Sequence, residues 1–484
     1  MEVSFLPAPL FYLMYFIGGG RMKGSIKKII SFTVALLLID VFLVRNMGMD
    51  VMAVKALDVM FIAIFLWMTE IVHSTITAML IFCLIPTSGI LPLEEVFIVM
   101  GDTIIWRLVG IFIITIGMEK TGFARRVALE ILSLAKGNLH FLLFLMEILT
   151  FIFVFLVPAV AARTAILAAI CMGLVQKIEN GENANFARAS SIIIPVVSLI
   201  SSGTIMVGAS ATIYAAAYFQ KNLGYSWTYL SWMKANLPIN IVAIFFIYII
   251  IVKLFPFKGR LSDNLDWVRE EKEKLGKISK KECKLIIIIA LLFIAWFEGI
   301  DDFIPVEFIA GTLMFLPGID IIEWKETFRK LEWGTVILFG SGLAMAQSLA
   351  KTKAVDFLVK NIAGNIGITN EFAIATGTIL ITALVRLGMA NMTGVVATLL
   401  PVFTSISRAI GINPQWTGMI CVLASELGIL TPSQSSSNLT TYVYGYYKPR
   451  DLFKAGFLII IAYIVIIAVM AKYYWPVIGL GFKI

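Results

Sequence analysis

Charge is scarce in this chain of 484 residues. Asp, Glu, Lys and Arg together make up 14% of it, against roughly 25% in a soluble domain. Histidine is scarcer still: His73 and His140 are the two present, too few and too far apart for a metal cluster. The four cysteines, Cys83, Cys171, Cys283 and Cys421, follow no ligand or disulfide-framework spacing, which leaves packing as their role. Neither HExxH nor GxSxG occurs, so the motifs of a zinc protease or a serine hydrolase are missing, and no enzyme activity is expected. Hydrocarbon fills the space instead. Hydrophobic residues are 60% of the chain and the mean hydropathy is +0.93, the balance of an all-α polytopic membrane protein. The net charge of +8 would suggest nucleic acid in a soluble chain. Here Lys and Arg sit mostly in short loops, where they set orientation in the lipid bilayer, and no nucleic-acid partner is expected.

Apolar runs of spanning length recur from residue 29 to residue 475, and two of them, 189–220 and 414–446, are interrupted. The N-terminal run, residues 3–17, lacks the leading basic residue of a cleaved signal peptide. At about 15 apolar residues it also falls short of the ~20 that a span needs, so it is left either as an interfacial segment or as a short extra span. The one long polar stretch, "KGRLSDNLDWVREEKEKLGKISKKECK" (258–284), carries nine basic and six acidic residues. By the positive-inside rule it is expected on the cytoplasmic side. It separates a first repeat (54–257, after an N-terminal segment 1–53) from a second (285–484). Lys120-Thr121 in the first half is matched by Lys351-Thr352 in the second, and Lys234-Ala235 by Lys454-Ala455. Each half holds an apolar pair (138–178 and 370–407) followed by a broken helix. The breaks, "SSGTIMVGASAT" (201–212) and "SELGILTPSQSSSN" (425–438), cluster Gly, Pro and hydroxyls. Interrupted backbone survives at membrane depth only where protein or a water-filled cavity surrounds it. Two such breaks at matching positions of a two-fold repeat point to a secondary transporter with its site at the repeat interface.

One charge inside the first pair demands an explanation. Arg163, in "VPAVAARTAIL", has apolar sequence on both sides, and an arginine at the bilayer centre costs roughly 2.5–3.5 kcal/mol on insertion scales. An anionic ligand, an ion pair with Glu147 or Glu426, or snorkelling to the surface would each offset that cost. Glu426, just before the second break, reads either as a proton relay or as a structural partner of Arg386 or Arg163.

The blocks "FLWMTEIVHSTITAML", "MEKTGFARRVAL", "ILFGSGLAMAQSLAKT", "LSWMKANLPINIV" and "KPRDLFKAGF", in this order, resemble the divalent anion:sodium symporter family of sodium/dicarboxylate, citrate and sulfate transporters. The resemblance implies about eleven spans in two inverted repeats, each with a re-entrant hairpin and a broken helix. It also implies a homodimer in the plasma membrane and an elevator movement of the hairpin-bearing domain. Tips and breaks enclose the small anionic substrate, and sodium sits beside it. Carried over residue by residue, the substrate set is Arg163, Thr164, Gly203, Thr204, Ser210, Asn391, Thr393, Thr431, Pro432 and Ser433. The family's Ser-Asn-Thr tips are degraded here, to Ala159-Val160-Ala161 and Asn391-Met392-Thr393. Sodium wants oxygen ligands, and Ala159, Val160 and Met392 offer none from their side chains. What remains for sodium is backbone oxygen, at Gly208, Ala390 and Leu430. The expectation is therefore a transporter of di- or tricarboxylates that works by exchange or H+ coupling. Arg163 would bind the anion and stand in for the sodium charge, with Arg386 and Glu426 in coupling roles. No cofactor beyond Na+ or H+ as coupling ion is expected. The alternatives are Na+-coupled uptake of dicarboxylate or sulfate, an anion channel, and a membrane enzyme.

Overall fold

Without water in the bilayer core, each backbone N–H and C=O must find its partner inside the segment, and helices do this locally. In the computed structural model, which describes residues 23–45, 47–135, 137–178, 183–258, 266–357 and 370–483, the described residues form helices and turns, with a single isolated β-bridge between Ile412 and Lys483. Residues 3–17, and 259–265 of the polar linker, lie outside the described residues. Eight of the helices are long and apolar enough to cross a membrane, or nine if a bent pair, Leu93–Gly101 with Thr103–Thr121, counts as one span. The fold is an all-α polytopic membrane protein.

The first half opens with α1 (Lys23–Arg45), α2 (Val51–Thr69), α3 (Ser74–Thr87), α4 (Leu93–Ile98), α5 (Thr103–Thr121) and the short amphipathic α6 (Phe123–Leu132). A hairpin follows, α7 (Leu139–Leu156) and α8 (Val160–Ile178), turning at residues 157–159. The broken helix is α9 (Ala184–Ile200) and α10 (Ser210–Leu223), and α11 (Tyr229–Leu254) closes the half. The polar linker contributes α12 (Asp266–Leu275), and α13 (Lys280–Phe297), α14 (Val306–Leu313), α15 (Trp324–Lys330) and α16 (Trp333–Lys351) follow. The second hairpin is α17 (Glu371–Gly388) and α18 (Met392–Ala409). Its broken helix is α19 (Pro414–Ala424) and α20 (Ser436–Tyr442), and α21 (Pro449–Tyr473) ends the order. Side-chain caps set several of the starts. Asp50 accepts from Met52 N–H at 2.8 Å and Asp102 from Ile104 N–H at 2.9 Å, which satisfies donors that the first turn leaves free.

The span around α9 is almost wholly buried, whereas α17 turns most of its surface outward. The two ends of the bundle are marked by ion pairs. Just after α5, Arg125 pairs with Glu271 of α12, and Arg126 with Glu282 of α13 at 2.7 Å. Lys120 at the end of α5 pairs with Glu326 of α15. At the opposite end, Lys351 holds Glu95 at 2.8 Å and Lys221 holds Asp102. α6, α12 and α15 thus share the linker end of the molecule.

Candidate functional site

Four half-helices start at one place. The first residues of α8 (Val160), α10 (Ser210), α18 (Met392) and α20 (Ser436) all line a cavity of about 660 Å³, together with Ala159, Ala161, Asn391, Thr393 and Ser437. Helix N-termini carry free N–H groups and the positive end of the dipole, so their convergence favours an anion. Two of the termini are closed by their own side chains. Asn391 accepts from Gly394 N–H at 3.2 Å and Ser435 from Ser437 N–H at 3.1 Å. The start of α10 is not, because Ala209 stands in the cap position. Glu70, His73, Glu332 and Thr335 line the rest of the cavity. Glu332 lies in the short connection between α15 and α16, so the cavity reaches toward the linker end.

Arg163, expected at the anion, has its guanidinium among backbone carbonyls. It is fully buried and does not line the cavity. Its Nη1 donates to the carbonyls of Val157 (3.3 Å), Pro158 (3.2 Å) and Gly208 (2.9 Å), and its Nη2 to Ser198 (2.5 Å). A hairpin turn and the end of a broken helix leave such carbonyls without helical partners, and a guanidinium, with five donors and no acceptor, satisfies four of them. The alternatives for Arg163 give way for the same reason. Full burial rules out snorkelling, and neither oxygen of Glu147 has a hydrogen-bond partner among the described residues.

Arg386 makes the equivalent arrangement in the second half. Its Nε donates to the Ser425 carbonyl at 3.0 Å and its Nη1 to the carbonyl of Met389 at the second hairpin turn. Glycine makes room for it. A Cβ on Gly428 would lie 2.7 Å from Cζ of Arg386 and 2.9 Å from Nε. Gly203 does the same for Glu426, since a Cβ there would lie 3.2 Å from the Glu426 Cδ and 2.9 Å from Leu423 Cδ2. The Glu426 carboxylate therefore reaches from the second break into the first. It accepts from Ser202 Oγ at 3.3 Å and from Tyr463 OH at 3.2 Å, and it is close enough for the charge of Arg163 to act on it. Its oxygens are used to tie the two breaks together, and neither Arg163 nor Arg386 is its direct partner among the described residues.

The remaining expected residues divide in two. Ser210 and Thr393 line the cavity and bond each other at 2.8 Å across the repeats. Asn391 and Ala390 line it as well. Thr164 sits just behind, its hydroxyl donating to Ser437 Oγ at 3.1 Å. The others lie away from the cavity lining. Gly203 offers its carbonyl to Trp232 Nε1 at 2.9 Å, and Thr204 pairs with the Asn240 amide at 3.0 Å. Thr431 and Ser433 bond each other at 3.3 Å, and Pro432 opens a 3-10 turn, Pro432–Gln434. These hydroxyls and this proline shape the break, as the freed backbone there requires. Gly208 gives its carbonyl to Arg163, and Leu430 is held through its N–H by Gln434 Oε1 at 2.7 Å. Sequence reasoning missed Tyr463, Asn240 and Ser202, which hold or extend the Glu426 contact. Tyr463 lies within the apolar α21, where it reads as core, and nothing in its neighbours signals a partner.

Paired hairpins, two broken helices and an anion-favouring cavity at their meeting point define a membrane transporter. The chain belongs to the family described as sodium:sulfate symporter transmembrane region, whose model matches residues 25–480. It is similar to the sodium-dependent dicarboxylate transporter SdcS of Staphylococcus saprophyticus, 24% identical over 94% of this chain and 92% of the relative. To the SdcS of Staphylococcus aureus (strain USA300) it is 23% identical, over 85% and 84%. Among solved structures, the fold resembles MtrF of Neisseria gonorrhoeae, with a TM-score of 0.55 and 17% identity over 79% of this chain and 82% of that one. YdaH of Alcanivorax borkumensis gives 0.52 and 14%, over 78% and 86%.

Proposed function

We propose that this protein carries small divalent organic anions, of the di- or tricarboxylate class, across the plasma membrane. The hairpin-bearing body, working in a homodimer, moves as an elevator against the remaining helices. We further propose that it exchanges one anion for another without sodium. The observation that carries this is the use of backbone carbonyls at both hairpin turns and both breaks by the guanidinium groups of Arg163 and Arg386. Sodium, a hard cation, would look to the same kind of oxygens, and here fixed positive charge already takes the carbonyl of Gly208, one of the three expected to serve it. The anion binds in front, at the uncapped start of α10 and the hydroxyls of Ser210 and Thr393. Sodium-coupled uptake is the second reading, favoured by the names of the two SdcS relatives.

The test is tracer flux in proteoliposomes. Labelled succinate outside, excess unlabelled succinate inside and choline as the only external cation should give a transient overshoot. Uptake that needs an inward sodium gradient would overturn the exchange reading in favour of symport. A linear, unsaturable flux without overshoot would mark a pore.

A further inference from the structure

We infer that the preferred anion carries an apolar group on its carbon frame, an alkyl- or aryl-substituted acid in preference to a hydroxylated one. The inference rests on the reading above that this cavity holds the transported anion. Its basis is the pair Val160 and Met392. Each is the first residue of the second arm of its hairpin, each is partly exposed, and both line the cavity. Matching positions of the two halves thus present hydrocarbon to the cavity. Ala159 and Ala161 flank Val160, and Met389 and Ala390 extend the apolar patch at the second tip, where Asn391 and Thr393 beside Met392 are the polar members. The largely buried rings of Trp67 and Phe112 also line the cavity, and the one polar atom of Trp67 is committed to the Ser74 carbonyl at 3.4 Å.

Several polar side chains at the tips already have partners, and Arg386, which also lines the cavity, gives its Nε and Nη1 to the Ser425 and Met389 carbonyls. Ser210 and Thr393 bond each other, Thr164 donates to Ser437, and Asn391 and Ser435 cap their own helices. An anion that brings an extra hydroxyl, as malate or citrate does, leaves that hydroxyl short of partners against Val160 or Met392, and a buried polar group without a partner is penalised. An anion that brings a methyl or phenyl group at the same point meets apolar surface. Hydrophobic pockets separate ligands differing by one small group by about 10- to 200-fold.

The experiment is competition against labelled succinate exchange by malate, methylsuccinate and phenylsuccinate, alongside the thermal shift each gives to the purified protein. In the wild type, phenylsuccinate should compete at roughly tenfold lower concentration than malate, with methylsuccinate between them. In Val160→Asn and in Met392→Asn, each checked for monodispersity, that ratio should fall toward one. Malate competing as well as phenylsuccinate in the wild type would overturn the inference while leaving the carrier intact. Thermal stabilisation by phenylsuccinate with no exchange of any anion would sustain the inference about the cavity and overturn the carrier. Neither stabilisation nor exchange would overturn both.

Discussion

Replacing Arg163 by alanine removes the donors of four carbonyls, those of Val157, Pro158, Ser198 and Gly208. A buried acceptor left unpaired costs about 1–3 kcal/mol, which sets a ceiling of roughly 4–12 kcal/mol for the set. The real loss is smaller, because burying the guanidinium itself costs several kcal/mol that the variant recovers. With that offset, the expected destabilisation is about 3–5 kcal/mol, in the lower part of the range. The variant has a distinctive second property. Its four carbonyls now face a hole that has lost a positive charge, an oxygen-lined place suited to sodium. A site with a Kd of about 10 mM, bathed in about 100 mM sodium, would return about 1.4 kcal/mol. Thermal unfolding in detergent, followed by tryptophan fluorescence in sodium chloride or choline chloride, reads both effects. The wild type should melt at one temperature in the two salts. Arg163→Ala should melt well below it in choline and recover part of the difference in sodium. A variant as stable as the wild type would refute the role of the guanidinium in holding the turn and the break. A destabilised variant indifferent to sodium would refute the idea that this arginine stands in for a cation.

The two glycines at the breaks offer an independent check. In Gly428→Ala the new Cβ lands on the Arg386 guanidinium, and in Gly203→Ala on Glu426 and Leu423. Each should cost about 1–3 kcal/mol by overpacking and reduce anion exchange, measured as the midpoint of thermal unfolding and the initial rate of counterflow. Gly377→Ala, where nothing lies within 4 Å of the added Cβ, should change neither. Outside the membrane, α12 is held to α6 by charge. Lys274, through a hydrogen bond at 2.7 Å, and Arg125 keep the Glu271 carboxyl below its ordinary range. A carboxylate whose pKa is depressed in the folded state contributes above its unfolded pKa, and that contribution is lost as pH falls through the depressed value. Hydrogen exchange of residues 266–275, corrected for intrinsic rate, should therefore rise in acid. It should also rise at neutral pH with high salt, and Glu271→Gln should show the raised exchange at neutral pH already.

Much of this arrangement was legible in the residues. The Gly-, Pro- and Ser-rich interruptions at 201–212 and 425–438 and the repeated apolar pairs before them give the half-helices and hairpins directly, because hydrocarbon punishes loose backbone and marks where it occurs. Ser210, Asn391 and Thr393 were expected at the site through the family resemblance, which carries its tip and break positions over to them, and all three line the cavity. Arg163 shows where that logic stops. A lone arginine in apolar sequence has to be compensated, but the compensating groups are carbonyls at positions 157, 158, 198 and 208, which any residue type supplies equally well. No pattern of side chains can advertise them. Glu426 is similar: its donors come from Ser202 in the other half and Tyr463 in α21, brought within hydrogen-bond reach by a glycine whose missing Cβ has no meaning until its neighbour is known.

By itself, then, the sequence determined the solvent, the helical class and the places of the breaks. All of these follow from hydropathy and from backbone hydrogen bonding that each segment must satisfy alone. Only the tertiary structure decided which oxygens surround each guanidinium and which tip residues face the cavity. Those are contacts between segments distant along the chain, where an ångström of approach separates a ligand-binding arginine from one that braces the backbone.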